Sequence, residues 1–437
     1  MLYQELLRIK YKNNMKLFLY FISYLILVCI PFCNSPSEIE FNYLIRYMNI
    51  AIVSYSHSES SLVLAKYLLE CGHSVDYYYV TCLGKKSAPG FEYGITPKRI
   101  GIVRIKRKDN VKLYTYLNSG NITVNLITLI LQSPRFAILE KLIIKLSSKI
   151  IGRKHYDIIN LVGQNELLIP FHKALSKYKR VHTLHEIDSH YNGQKISNKL
   201  ISYLDSHHIP IIVHSKFSYD RFFDLVHPET NRLIKFIPFG LFESSKLVEV
   251  SNSKFDKYKP YVLFYGLIRP YKGLEILKQA VDLLHDEFNS IRFIVAGYGF
   301  DPVLQEMEKS SRFIVINKML SNVEIVDLNV NARFVVCPYT SASQSGIITT
   351  SFFYGKPIIA SRVGAFDEFI TDGINGLLVA PNDARELADS IARLINDPSL
   401  YSILCTGAYS FSETYDWKEI ANETLNFYDS CIDRYSS

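Results

Sequence analysis

Paired cysteines, metal-ligand spacings and nucleic-acid signatures are all missing from this sequence. Its cysteines, Cys29, Cys33, Cys71, Cys82, Cys337, Cys405 and Cys431, are odd in number, scattered, and mostly set among apolar neighbours. That pattern predicts reduced, buried thiols and argues against a disulfide framework. No Cys/His run has zinc-site spacing, and no RNA-binding or helix-turn-helix pattern is present. No Gly-x-Gly-x-x-Gly follows the strand expected at 49–55, which argues against a Rossmann dehydrogenase. No Asp-x-Asp stands in a loop suited to a metal ion. Charge is modest as well, with 49 Lys and Arg against 42 Asp and Glu, a net +7. This favours anionic partners, such as phosphorylated compounds or acidic lipid surfaces, without requiring nucleic acid.

What is present is the material of a large α/β protein. The chain has 437 residues, 48% hydrophobic and 21% charged, enough for two domains of ordinary size. Apolar strand-like runs alternate with helical patterns, which predicts parallel sheets. The densest information lies at 337–383, CPYTSASQSGIITTSFFYGKPIIASRVGAFDEFITDGINGLLVAPND. RFVVC, 333–337, predicts a buried strand, Ile347–Tyr354 a helix that Gly355 and Pro357 end, and PIIAS the next strand. A Ser/Gly loop feeding a helix start offers backbone N–H groups and the positive end of a helix dipole, a ready site for phosphate.

This stretch resembles the donor-binding region of retaining glycosyltransferases of family 4, enzymes of the GT-B architecture that use nucleotide sugars. Further segments carry the same resemblance in order. YVLFYGLIRPYKGLEILKQAVDLL, 261–284, resembles the first strand, phosphate loop and helix of the family's C-terminal domain. FIVAGYG, 293–299, resembles the next strand and glycine turn, and VGAFDEFITDGINGLLV the family's Gly-x-x-x-Glu and Asp-Gly-x-x-Gly turns. IIVHSKFSYDRF, FIPFG and DWKEIANETLNFY resemble the last parts of the N-terminal domain and the closing helix. The implied fold is α/β, GT-B: two Rossmann-like doubly wound parallel-sheet domains facing a central cleft. The implied division is 48–245 on the acceptor side, 246–410 for the nucleotide sugar, and a closing helix at 411–437 that packs back on the first domain.

The resemblance also implies a site. Lys272 falls on the family lysine, six positions after Gly266. The family arginine usually follows that glycine directly; here Leu267 stands there and Arg269 takes its place. Fixed cations stabilise the charge that a diphosphate gains as it leaves. His185, just past the strand RVHTL, falls on the family's interdomain histidine, while His182 within the strand reads as structural. Ser343, Ser345, Gly346 and Ile347 offer donors to the diphosphate. The family's two glutamates, eight positions apart, would fall on Ala342 and Thr350, and neither is acidic. A subset of the family has Ser-rich loops of this kind. Thr350 and Glu368 are then the candidates for the ribose, with a capping role for Glu368 equally open. The first loop of the N-terminal domain holds Ser and His where many relatives have a Gly-Gly pair, and His57 is a candidate contact beside a solvent-facing alternative. Gln164, Asn165 and Glu186 also fall just beyond strand ends, where ligands bind in open parallel sheets.

The expected activity is transfer of a sugar from a nucleotide diphosphate sugar to a glycan or lipid-linked glycan with retained configuration, in polysaccharide synthesis on the cytoplasmic side. No metal and no cofactor beyond the donor substrate is implied. A non-catalytic nucleotide-sugar-binding subunit and a sugar phosphorylase on the same fold remain as alternatives. Two basic stretches stand apart: PKRIGIVRIKRKDNVK, 97–112, and ILEKLIIKLSSKIIGRK, 138–154. The second sets Lys141, Lys145 and Lys149 beside Leu and Ile, a pattern that fits either contact with an anionic membrane or an ordinary surface helix. Residues 17–33 are apolar and preceded by Arg8, Lys10, Lys12 and Lys16. They read as a wrongly assigned start upstream of Met48 or as a hydrophobic N-terminal segment. The first reading is preferred because MNIAIVSYS already supplies a first strand.

Overall fold

The computed structural model describes residues 46–55, 58–83, 99–118, 122–129, 137–185, 187, 198–226, 233–238, 240, 243, 253–342 and 346–434. The apolar 17–33 segment, His57, Glu186, Ser343 and Ser345 lie outside the described residues.

The apolar runs form fourteen named strands among the described residues. The first eight are β1 (Asn49–Tyr55), β2 (Ser74–Cys82), β3 (Gly101–Ile105), β4 (Ile122–Leu129), β5 (Ile158–Val162), β6 (Arg180–Leu184), β7 (Ile211–Val213) and β8 (Ile234–Phe236). They make one sheet in the order β3-β4-β2-β1-β5-β6-β7-β8. Every pairing is parallel except β3 with β4. β3 is the exception the composition did not announce, an antiparallel edge rich in exposed side chains.

Side chains of a strand alternate between faces, so a strand buried on both sides is apolar throughout. β1 shows this directly. Met48, Ile50 and Ile52 enter a core on one face, and Ala51, Val53 and Tyr55 a core on the other. The last helix, Trp417–Arg434, closes the first of these cores with Trp417, Ile420, Leu425, Tyr428 and Ile432. Each such side chain stabilises by roughly 1.5–3 kcal/mol. Tyr428 also receives a hydrogen bond from Asn160 of β5 at 2.8 Å. The chain therefore returns to its first sheet at Trp417. Phe411 and Tyr415, inside the stretch expected to return, still pack on the second core.

β9 (Tyr261–Tyr265), β10 (Arg292–Gly297), β11 (Phe313–Asn317), β12 (Phe334–Cys337), β13 (Ile358–Ser361) and β14 (Gly376–Val379) make the second sheet. It is fully parallel, in the order β11-β10-β9-β12-β13-β14. The two parallel-sheet α/β domains are the architecture that the resemblance implies. The polar stretch 244–260 reads as a hinge from sequence, but its end is fixed: Phe255 is buried in the second core and the Lys254 N–H donates to Asp327.

Sheet order decides where a ligand can enter. The second sheet grows from β9 toward β11, then crosses back to place β12 on β9's other side. The loops after β9 and β12 diverge there and leave a crevice at the strand ends. The first sheet has the same reversal between β1 and β5.

Candidate active site

The crevice of the second sheet is closed at its base by backbone packed on backbone. Gly273 ends the loop after β9 at φ +70, and a Cβ there would strike the Pro338 carbonyl of the loop after β12. Gly266 has φ +115, and a Cβ there would stand 2.9 Å from Ile347 Cδ1. Only glycine combines that backbone with that approach. Thr340 N–H donates to the Tyr271 carbonyl at 2.8 Å, joining the loops after β9 and β12. Ala365 N–H donates to the Ala342 carbonyl at 3.1 Å, joining the loop after β13.

These contacts place the two cations. Lys272 ends the short helix Pro270–Lys272 and is only 9% exposed. Its ammonium stands 3.8 Å from the centre of the Tyr339 ring and 5.1 Å from that of Tyr271. Aromatic faces attract a cation, so the two rings help to position Lys272. Arg269 turns toward the loop after β10: its Nη1 donates to the Ile268 carbonyl at 2.9 Å and lies against Gly299. Leu267, Tyr298 and Phe300 on the same loops are 47%, 57% and 71% exposed and give this crevice an apolar rim.

The helix after β12 is Gly346–Phe353, one residue earlier than the sequence suggests. The helix begins on the strand-end side of β12, and the N–H groups of a first helical turn have no partner within their own helix. The Ile347 carbonyl accepts from the Tyr265 hydroxyl at 3.3 Å, which pins the helix start to β9. Thr350 is 3% exposed, one turn along the same helix.

Glu368 is engaged by the first domain. Its two carboxylate oxygens accept from the backbone N–H groups of Lys216 and Phe217, each at 2.6 Å. Those residues begin the helix Lys216–Leu225 of the first domain, and Ser215 caps the next N–H, that of Ser218. The first three orphan donors of that helix are all satisfied, two of them from the other domain. Burial raises the Glu368 pKa against the lowering effect of these N–H bonds. Of the two roles open to Glu368 from sequence, the structure shows the cap.

In the first domain His185 follows β6 and is 2% exposed. Its ring lies 4.5 Å, centre to centre, from that of His214. Both line a cavity of about 20 Å³ with Ser61, Thr183 and Trp417, room for a water and not for a sugar ring. His214 was not singled out from sequence, although a signal existed. Leu184 and Val213 are register partners, and a histidine follows each. Tyr339 was missed too; nothing in its spacing distinguishes it from a core aromatic.

His182 is fully buried. Its Nε2 lies 2.8 Å from the Gly163 carbonyl, so that nitrogen carries the proton and donates. Nδ1 then accepts, and His172 Nε2 donates to it at 2.9 Å. Burial drives the His182 pKa down to about 4 and that of His172 well below its ordinary value. The pair is a neutral strut beneath the glycine turn after β5. Among the described residues no cluster of three His, Cys, Asp or Glu side chains is arranged to hold a metal ion.

Residues 259–397 match the family model described as Glycosyl transferases group 1. An uncharacterised glycosyltransferase of Methanocaldococcus jannaschii is 29% identical over 181 residues, covering 39% of this chain and 48% of that protein. The matched part thus spans about half of that relative's length. Among solved structures, sucrose-phosphate synthase from Thermosynechococcus elongatus superimposes with a TM-score of 0.63 at 17% identity, covering 89% of this chain and all of that one. HepE of Anabaena, solved with UDP and glucose, has a TM-score of 0.63 at 16% identity, covering 88% of this chain and 100% of its own. These likenesses show the GT-B fold.

Proposed function

We propose that the chain is a retaining glycosyltransferase of the GT-B fold, with a nucleotide diphosphate sugar as donor and a glycan or lipid-linked glycan as acceptor. The observation that carries this is the assembly at the second sheet's reversal point. Lys272 and Arg269 stand on the loop after β9, and the Gly346–Phe353 helix starts against Gly266 at the head of that loop, all within the stretch that matches the glycosyltransferase family model. Three sources of positive potential converging on one crevice suit a diphosphate. The exposed Tyr298 and Phe300 faces are suited to stacking a base. The UDP in the HepE structure supports a nucleotide in the corresponding fold.

In this reading the bond from the sugar carbon to the diphosphate oxygen breaks, and that carbon bonds to the acceptor oxygen on the same face. The leaving phosphate takes the acceptor's proton, so no side-chain nucleophile is required. Lys272 acts on the charge that grows on the diphosphate, which is where a fixed cation changes the rate. Both Glu368 oxygens bond to the start of the Lys216–Leu225 helix, so in this reading Thr350 is the candidate for the ribose.

A screen of nucleotide sugars against the purified protein tests it. A ligand at about 100 times its dissociation constant stabilises by about 2.7 kcal/mol, a readily measured rise in unfolding temperature. Stabilisation by one nucleotide sugar, with release of its nucleotide diphosphate when acceptor is supplied, is the expected result. Stabilisation without turnover favours the binding-subunit reading, to which Ala342 and Thr350, neither of them acidic, lend weight. Turnover that depends on inorganic phosphate favours a phosphorylase.

A further inference from the structure

The helix Ala137–Ile151 is inside out compared with an ordinary surface helix. Its polar residues Glu140, Ser147 and Ser148 are 7%, 1% and 3% exposed. Its large aliphatics Ile138, Leu142, Leu146 and Ile150 are 87%, 49%, 51% and 39% exposed. These four form one row at four-residue spacing, and Lys141, Lys145 and Lys149, also exposed, form the row beside it. Ile143, Ile144 and Ile151 already supply the contact with the core under β1. The outer aliphatics are therefore not needed for the fold. An exposed helix face of only Leu, Ile and Lys leaves apolar surface in water and cations without carboxylates.

The fold extends this face. The helix packs against β3 and β4. On the β3 side, Val103, Arg104, Lys106, Arg107 and Lys108 are exposed, with Asp109 the one acid in that stretch. The two basic segments that stand apart in the sequence are thus neighbours in space.

We propose that this face docks the protein on an anionic lipid bilayer. The lysines would lie among the acidic headgroups and the aliphatic row in the headgroup–acyl boundary. The charge selects this occupant, because a purely apolar partner surface would leave the lysine row uncompensated. No helix among the described residues is long and apolar enough to cross a membrane, so this contact is one of lying on the surface. Orientation adds to the case. Lys154, just past the helix, pairs with Asp76 near the start of β2 at 2.6 Å, so the Ile138 end lies toward the strand ends and the crevices. The inference stands apart from the transfer reading, and its test needs no turnover.

The test is sedimentation of the full chain with vesicles of mixed phosphatidylglycerol and phosphatidylcholine. Binding to the mixed vesicles, weak binding to phosphatidylcholine alone and loss at high salt are expected. Lys141→Glu, Lys145→Glu and Lys149→Glu together should weaken binding on the order of 100-fold. Leu142→Ser, Leu146→Ser and Ile150→Ser together should weaken it about tenfold or more. Lys→Gln at the three lysine positions gives the same ordering if the glutamates disturb the helix, and circular dichroism checks that each variant is folded. Unchanged binding of either triple variant would overturn the proposal, since adhesion would then run through another part of the chain. Equal binding to neutral vesicles, or none to acidic ones, would overturn it as well.

Discussion

The crevices at the strand ends of the two sheets are built from different materials. In the second sheet, glycines at Gly266 and Gly273 let backbone meet backbone, and Lys272 is fixed against Tyr339. In the first sheet the corresponding region is made of side chains: His185 against His214, and the His172–His182 strut beneath Gly163. The contrast teaches where variation is tolerated. Backbone-built geometry suits holding one chemical group in one place, as the proposed diphosphate site requires. A side-chain-built wall can change its specificity by substitution, which suits the proposed acceptor side. Glu368 is the link between the two, an acid of the second domain that completes a helix of the first.

The sharpest way to break this comparison is Lys272→Ala. Loss of one donor that acts on transition-state charge costs on the order of 100-fold or more in turnover, with the fold intact. Steady-state rates of nucleotide release measure it. A rate within a few-fold of the unaltered protein would leave the second crevice without its chemical role.

The link comes next in size. Glu368→Ala removes two acceptors from the start of the Lys216–Leu225 helix and should lower stability by about 1–2 kcal/mol. Glu368→Gln should cost less, because an amide oxygen still accepts. Urea midpoints for the two variants check the ordering, and no change in either would make the two domains independent at this contact.

The side-chain wall is tested by pH. His182 and His172 are held neutral in the fold, with pKa values below the ordinary 6.5. The unfolded chain binds the protons that the folded one refuses, so stability is complete above about pH 6.5 and falls as pH drops toward 4. For His182 alone the full loss is on the order of 3 kcal/mol. His182→Gln, which keeps an N–H for the Gly163 carbonyl, should flatten part of that decline. Urea melts at neutral and mildly acidic pH decide, and an unchanged slope in the variant would remove the strut from the pH response.

Much of the fold could be read in advance because it is local. The unbroken apolar run IAIVSY and the glycine after YVLFY are written in consecutive residues. Lys272 is local in the same sense, in a loop directly after a strand, where the resemblance marks it. The parts that escaped depend on distance. Glu368 meets partners 151 and 152 residues away. Pairing of β3 with β4 reverses direction at an edge that composition does not mark. Phe255 docks a stretch whose polarity reads as a hinge. The lysine and aliphatic rows were visible as a pattern, but that both face outward, with Ile143, Ile144 and Ile151 on the core, was decided by packing.

The most direct test is a nucleotide titration of Gly346→Val, followed by calorimetry on protein shown to be folded by circular dichroism. The helix begins at Gly346, beside the loop that carries Lys272, and a branched side chain there should exclude a diphosphate from the first-turn N–H groups. Abolished binding of the nucleotide diphosphate and its sugar, with an unchanged fold, is the expected result. Unchanged affinity in folded Gly346→Val would contradict the placement of the donor at the second sheet's reversal point.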